Sequence, residues 1–190
     1  MINRYFMYTM LLCCSTPGPG PHRVNKTLQS AETHEVASRT PNKNGYWASP
    51  PQIYVCKNAP VNPQRLSRAL KFWNKLGYKF GVVLYDDETY GCIRENLAYG
   101  AITIDLVGQK FKEPNIGMTW NWRHTKTNEI VRSRIELKNE WGNSARVLEH
   151  EIGHSLGWLD YKKYGHLMNH DWSAGGMDTQ GLEYRYAQIK

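Results

Sequence analysis

No apolar run in this chain approaches the ~20 residues that a helix needs to cross a bilayer, so no membrane span is expected. No internal repeat appears, which sets aside solenoids and other repeat arrays. Cysteine is scarce, at four residues, too few for a chain of this length to be a disulfide scaffold. A basic stripe is also missing. The formal charge is +7, but residues 1–14 hold Arg4 alone, and residues 15–50 hold Arg23, Lys26, Arg39 and Lys43 against Glu32 and Glu35. That leaves +4 for residues 51–190. Such a domain attracts acidic partners weakly and gives no ground for nucleic-acid binding. What is present is a hydrophobic content of 41% and an aromatic content of 12%, the composition of a globular chain. At 190 residues it has room for one domain with a proper core.

The N-terminus reads as an address. Arg4 ends a short basic region, Tyr5 to Cys14 is an apolar stretch of the length of a signal-peptide core, and Ser-Thr-Pro-Gly-Pro-Gly follows. Residues 1–14 are therefore expected to be a signal peptide that sends the protein out of the cytoplasm. Leu11-Leu12-Cys13-Cys14 also resembles a bacterial lipobox, which leaves a lipid-anchored lipoprotein open. Residues 15–50 are rich in Pro, Ser, Thr and Asn and lack apolar periodicity, as in a flexible linker or a short pro-segment. If the first two cysteines leave with the signal or carry lipid, Cys56 and Cys92 remain as an even pair, which an exported protein tends to oxidise.

From residue 51 the elements follow regularly. Gln52 to Cys56 has the β-branched and aromatic content of a strand. Asn62 and Pro63 read as a helix cap and first-turn proline, and Leu66, Ala69, Leu70, Trp73 and Leu76 recur at helical spacing until Gly77. Strands are expected at 80–85, 101–107, 116–124 and 130–137, the last two forming a hairpin that turns near Thr125–Asn128. The alternation in 130–137 mixes polar and apolar residues on both faces, so its inward side is not fixed. Trp120 and Trp122 share one face of their strand, available for sheet packing or for lining a cleft.

The next helix carries the chemistry. Asn143 or Ser144 is the expected cap, and Leu148, Ile152, Leu156 and Leu159 form its apolar stripe. His150 and His154 stand four apart, so both imidazoles leave one face a single turn apart and can bind one zinc ion from the same side. Glu151 lies about 100° round the helix from His150, placed to act on water at the metal without being a ligand. Gly157 permits a sharp turn that returns Asp160 as a third ligand, with His166 and His170 as rivals for that place. Three protein ligands leave one position for water, the arrangement of a catalytic zinc site.

The run His150-Glu-Ile-Gly-His154-Ser-Leu-Gly157-Trp-Leu-Asp160 resembles the extended zinc motif of the metzincin peptidases, and aspartate in the third place resembles their snapalysin-like branch. Gly165-His-Leu-Met168-Asn resembles the Met-turn, in which a methionine lies beneath the zinc. The order of elements across 52–158 is also similar to the upper part of that fold. The resemblance implies an α+β, metzincin-like zincin over residues 51–190, with a mixed five-stranded twisted sheet, two long helices and a small C-terminal subdomain. It implies one Zn2+ held by His150, His154 and Asp160, and Glu151 as general base towards a zinc-activated water. The substrate implied is a protein or peptide in extended conformation, added along the fourth strand at the upper rim of the cleft. A secreted monomeric endopeptidase is the expected whole. The chain departs from the branch in placing Tyr161 directly after the aspartate, so Tyr161, Tyr164, Tyr184 and Tyr186 all stand as candidates for assisting the reaction. Two other classes fit the same residues: a zinc hydrolase acting on cell-wall peptides, and an inactive zinc domain that binds extended peptides.

Overall fold

Ile53 and Val55 leave an extended segment on the same side, and both are buried. They begin a layer that the rest of the chain completes. The computed structural model describes residues 6–13, 40–86, 92, 98–107 and 115–184. It is an α+β arrangement of a mixed sheet with two helices. In chain order the elements are β1 (Phe6–Cys13), β2 (Gln52–Cys56), α1 (Pro63–Lys75), β3 (Val83–Asp86), β4 (Ala101–Leu106), β5 (Gly117–His124), β6 (Ile130–Leu137) and α2 (Val147–Ser155). The five strands between 52 and 137 form the mixed sheet expected from the sequence, and β1 adds a sixth, giving the order β1-β5-β6-β4-β2-β3. Strands β2, β3, β4 and β6 run parallel, and β5 opposes them as the return of the β5–β6 hairpin. Strand β1 pairs antiparallel with the outer side of β5 over eight residues.

One face of the sheet carries the core. Ile53, Val55, Ile102, Ile104, Ile135 and Leu137 pack there with Leu66, Ala69 and Trp73 of α1 and Leu148 and Ile152 of α2. The register resolves the ambiguity in β6. Ile135 lies opposite Thr119 and Leu137 opposite Gly117, so the odd-numbered residues of both strands meet the helices in this stretch. Trp120 and Trp122 therefore face the other side, where Trp122 packs with Val131 and under the Arg132 guanidinium. That side also holds Arg134 between Asp105 and Glu136. The tryptophan pair is sheet packing, away from the helical layer.

Helix α1 begins as expected. Asn62 caps it through a hydrogen bond from the Arg65 amide, and Pro63 supplies the first turn. Helix α2 differs from expectation at its start and in its length. Its cap is Arg146, at φ 71°, and the helix spans nine residues. The expected caps serve α1 instead. The Asn143 side-chain oxygen accepts from the Asn62 backbone and side-chain amides, and the Ser144 carbonyl accepts from the Arg65 guanidinium. Strand β3 starts three residues later than expected, because Phe80 packs on the core and Gly81 bonds back to Pro51 before pairing with β2 begins. Cys56 and Cys92 form a disulfide.

Residues 15–39 of the expected linker lie outside the described residues. Residues 40–47 are built into the domain. Asn44 donates to the Gly157 carbonyl, Leu159 donates to Asn42, and Tyr46 exchanges backbone bonds with Asn128 and Ile130. Lys43 enters a cavity of about 630 Å³ beside Tyr78 and Trp158, and its ammonium stands 5.1 and 5.3 Å from those two rings. Burial brings its pKa down to about 8. Among the described residues no helix is long and apolar enough to cross a membrane.

Candidate metal centre

Helix α2 ends where the sequence allows a left-handed residue. Gly157 stands at φ 99°, and the chain turns through Trp158 to bring Asp160 back against the helix. The result is a cluster of three groups whose ligand atoms all lie within 4.8 Å of one another: His150, His154 and Asp160. The two imidazole Nε2 atoms are 3.0 Å apart, and Asp160 Oδ1 lies 3.8 Å from the first and 3.5 Å from the second. This buried group can hold a metal ion.

The outer nitrogens explain why the inner ones converge. His150 Nδ1 lies 2.7 Å from the Leu167 carbonyl, and His154 Nδ1 lies 2.7 Å from the Trp158 carbonyl. A carbonyl only accepts, so each Nδ1 carries a proton, and each Nε2 faces the centre, where it can offer its lone pair to a metal. That is the usual support for metal-binding histidine. Burial, with the neighbouring His154 charge, pushes the His150 pKa down to about 3, so it stays neutral and available as a ligand. Burial also opposes charge on His154, but the Asp160 carboxylate outweighs it and lifts the pKa above the ordinary value. Burial opposes charge on Asp160 too, and His154, His150 and His170 together hold it below the usual carboxylate range. The pair thus keeps a proton where a cation would bind, and a bound metal would displace it.

Glu151 stands beside this group and is not part of it. It is 1% exposed. Oε2 accepts from the Thr119 hydroxyl at 2.7 Å, while Oε1 is buried with no hydrogen-bond partner among the described residues. Burial raises its pKa to about 7. A carboxylate with one oxygen tethered and the other unsatisfied can accept a proton. Asp160 keeps 28% of its side chain exposed, so the cluster reaches solvent on that side.

Met168 is fully buried. Its backbone carbonyl accepts from Tyr161, and its sulfur lies so near Gly153 that a Cβ there would sit 2.5 Å away. The methionine therefore lies against the α2 turn that carries His150 and His154. His166 does not join the cluster: Met168 donates to its Nδ1, its Nε2 meets the Gln180 carbonyl, and Tyr161 stacks edge-on against it. His170 lies close enough to act on the charge of Asp160 but is not among the grouped ligands. Tyr161 packs against the core, Tyr164 is exposed, and Tyr184 packs on Tyr78. Tyr186 lies outside the described residues.

Several supporting residues were not singled out from the sequence. Gly117 belongs to β5, and a Cβ on it would meet Glu151 Oε1 at 2.6 Å. Thr119 and Asn121, on the same face, bond Glu151 and the His154 carbonyl. Arg146 ties the loop after Met168 to the start of α2, donating to the carbonyls of Asn169 and Trp172 and lying over the Trp172 ring. Small and polar residues alternating with tryptophan along β5 were the available signal for the first three. For Arg146 only its positive φ would have marked it, and a sequence does not show that.

No protein-family model, curated protein or solved structure matches this chain.

Proposed function

We propose that this protein is an exported zinc metalloendopeptidase of the metzincin type, acting on extended protein or peptide substrates. The observation that carries the reading is the buried convergence of His150 Nε2, His154 Nε2 and Asp160 Oδ1 beside a carboxylate, Glu151, that is not one of them. Two nitrogens and one oxygen with both imidazoles fixed from behind suit zinc. The Cys56–Cys92 disulfide supports an oxidising compartment. Met168 beneath the ligand helix supports the metzincin resemblance.

Zinc, when bound, supplies a Lewis acid that polarises the scissile carbonyl and lowers the pKa of water to about 7. The remaining work falls to the chain. Leu167 and Trp158 hold the two imidazoles in one tautomer. Thr119 fixes one oxygen of Glu151, and Glu151 Oε1 takes the proton of the attacking water. With a pKa about 7, Glu151 can give that proton up again to the leaving amine.

Casein cleavage by the full chain and by a form lacking residues 1–14 tests the reading, together with metal analysis and parallel digestion of purified peptidoglycan. Cleavage of casein that a chelator stops and added zinc restores is the expected result. Glu151→Ala should keep its zinc and lose cleavage by about 10²–10⁴-fold. Purified protein without zinc, or cleavage indifferent to the chelator, overturns the proposal. Digestion of peptidoglycan alone transfers it to cell-wall hydrolysis.

A further inference from the structure

Strand β5, which bonds Glu151 and the His154 carbonyl, would be the edge of the sheet without β1. Among the described residues from 40 to 184, β5 pairs only with β6, and without β1 its outer side would offer a row of unpaired amides and carbonyls. That row is where an extended substrate would add as a further strand. The N-terminal segment already lies there.

The direction and register are specific. Strand β1 runs antiparallel to β5, from Phe6 opposite His124 to Cys13 opposite Gly117. Leu11 lies opposite Thr119, whose hydroxyl holds Glu151, and Cys13 lies opposite Gly117, where a Cβ would meet Glu151 Oε1. The C-terminal half of β1 therefore passes the two β5 residues that touch the candidate general base. An incoming chain must use the same backbone groups to be held at that height. Both cannot be accommodated, since each inter-strand hydrogen bond on this side has one partner.

We propose that Phe6–Cys13 is a built-in occupant of the substrate edge, so that the full chain is latent until this strand is displaced or removed. The proposal rests on the peptidase reading for the word latent, but not for the occupancy. Residues 14–39 separate the strand from the domain. These twenty-six residues keep the strand covalently joined to the domain, so its pairing with β5 is an intramolecular event.

The experiment compares the full chain with Met10→Pro/Leu11→Pro. Neighbouring residues of an antiparallel strand point their amides to opposite sides, so one of the two donates towards β5 and proline removes that donor. Amide hydrogen exchange over 117–124 and casein cleavage are both read. The expected outcome is protected β5 amides and weak cleavage in the full chain. In the variant, exchange and cleavage should each rise about tenfold. A synthetic peptide of sequence Phe6–Cys13 should reverse both. Freely exchanging β5 amides in the full chain overturn the proposal whatever the variant does. Equal cleavage by full chain and variant overturns it too, while leaving the peptidase reading intact. Protection that the prolines abolish, with no cleavage by either form, supports the occupancy and sinks the peptidase reading.

Discussion

Glu151 owes its position to a side chain that is not there. Gly117 faces it across the gap between β5 and α2, and a methyl group in that place would stand 2.6 Å from Oε1. Gly117 does not need to be glycine for the sake of its backbone, because it is absent from the residues at positive φ. The requirement is space. Gly117→Ala should therefore fold, push the carboxylate off its hydrogen bond with Thr119, and lower kcat for casein by about 10²-fold, since a misplacement near 1 Å has that effect on a positioned group. Zinc content should stay at the wild-type level, because none of His150, His154 and Asp160 is touched. A variant with unchanged kcat would show that Glu151 is not used where it stands. At this scale the sequence was explicit about which side chains gather and silent about which support them. His150, His154, Glu151 and Asp160 announce themselves by chemistry and spacing, and the structure brings the three ligands together. Gly117, Thr119 and Asn121 act through space across about thirty residues of chain, a relation that no local pattern encodes.

Helix α2 is short, and its hold on α1 compensates. Arg65 and Glu149 form a bidentate ion pair between the two helices, with residue exposures of 3% and 6%, and Trp73 donates to the Glu149 carbonyl. Glu149 directly precedes His150 of the candidate metal cluster, so the pair fixes the height of that imidazole. Breaking a buried pair leaves one charge uncompensated, at a cost of roughly 3–5 kcal/mol, whereas replacing both partners by apolar residues is often neutral. Glu149→Gln should lower the urea midpoint markedly, and Arg65→Met/Glu149→Leu should recover most of the loss. Equal stability of wild type and Glu149→Gln would show that the pair contributes nothing. The same pair explains a misread boundary. Asn143 and Ser144 have the right chemistry for capping α2, yet their bonds go to Asn62 and Arg65, some eighty residues away. The start of α1 was legible because Asn62, Pro63 and the apolar spacing act locally. Strand β1 shows the opposite limit. A short apolar run suits a signal core and a strand alike, and its pairing with β5 is a long-range relation that no local pattern shows.

For the molecule as a whole, most elements follow from local pattern, but the site depends on a return of the chain after α2. The segment 156–184 carries neither helix nor strand among the described residues. It is held by Arg146, by Leu167 and Trp158 as acceptors for the ligand histidines, and by the buried Leu167, Met168 and Leu182. Because those contacts do not need a metal, the ligands are positioned in advance and the apo chain should remain folded. Binding still adds stability, since the unfolded chain cannot assemble His150, His154 and Asp160. At free zinc a thousandfold above its dissociation constant the gain is about 4 kcal/mol. For a chain of this size that corresponds to a rise in melting temperature of roughly 10 °C. Calorimetry over a range of buffered zinc concentrations should thus show a single transition that climbs with zinc. In His154→Ala the transition should stay near the apo value and cease to respond. A wild-type transition indifferent to zinc would mean that the three side chains, though gathered, hold no ion, and the proposed chemistry would lose its centre.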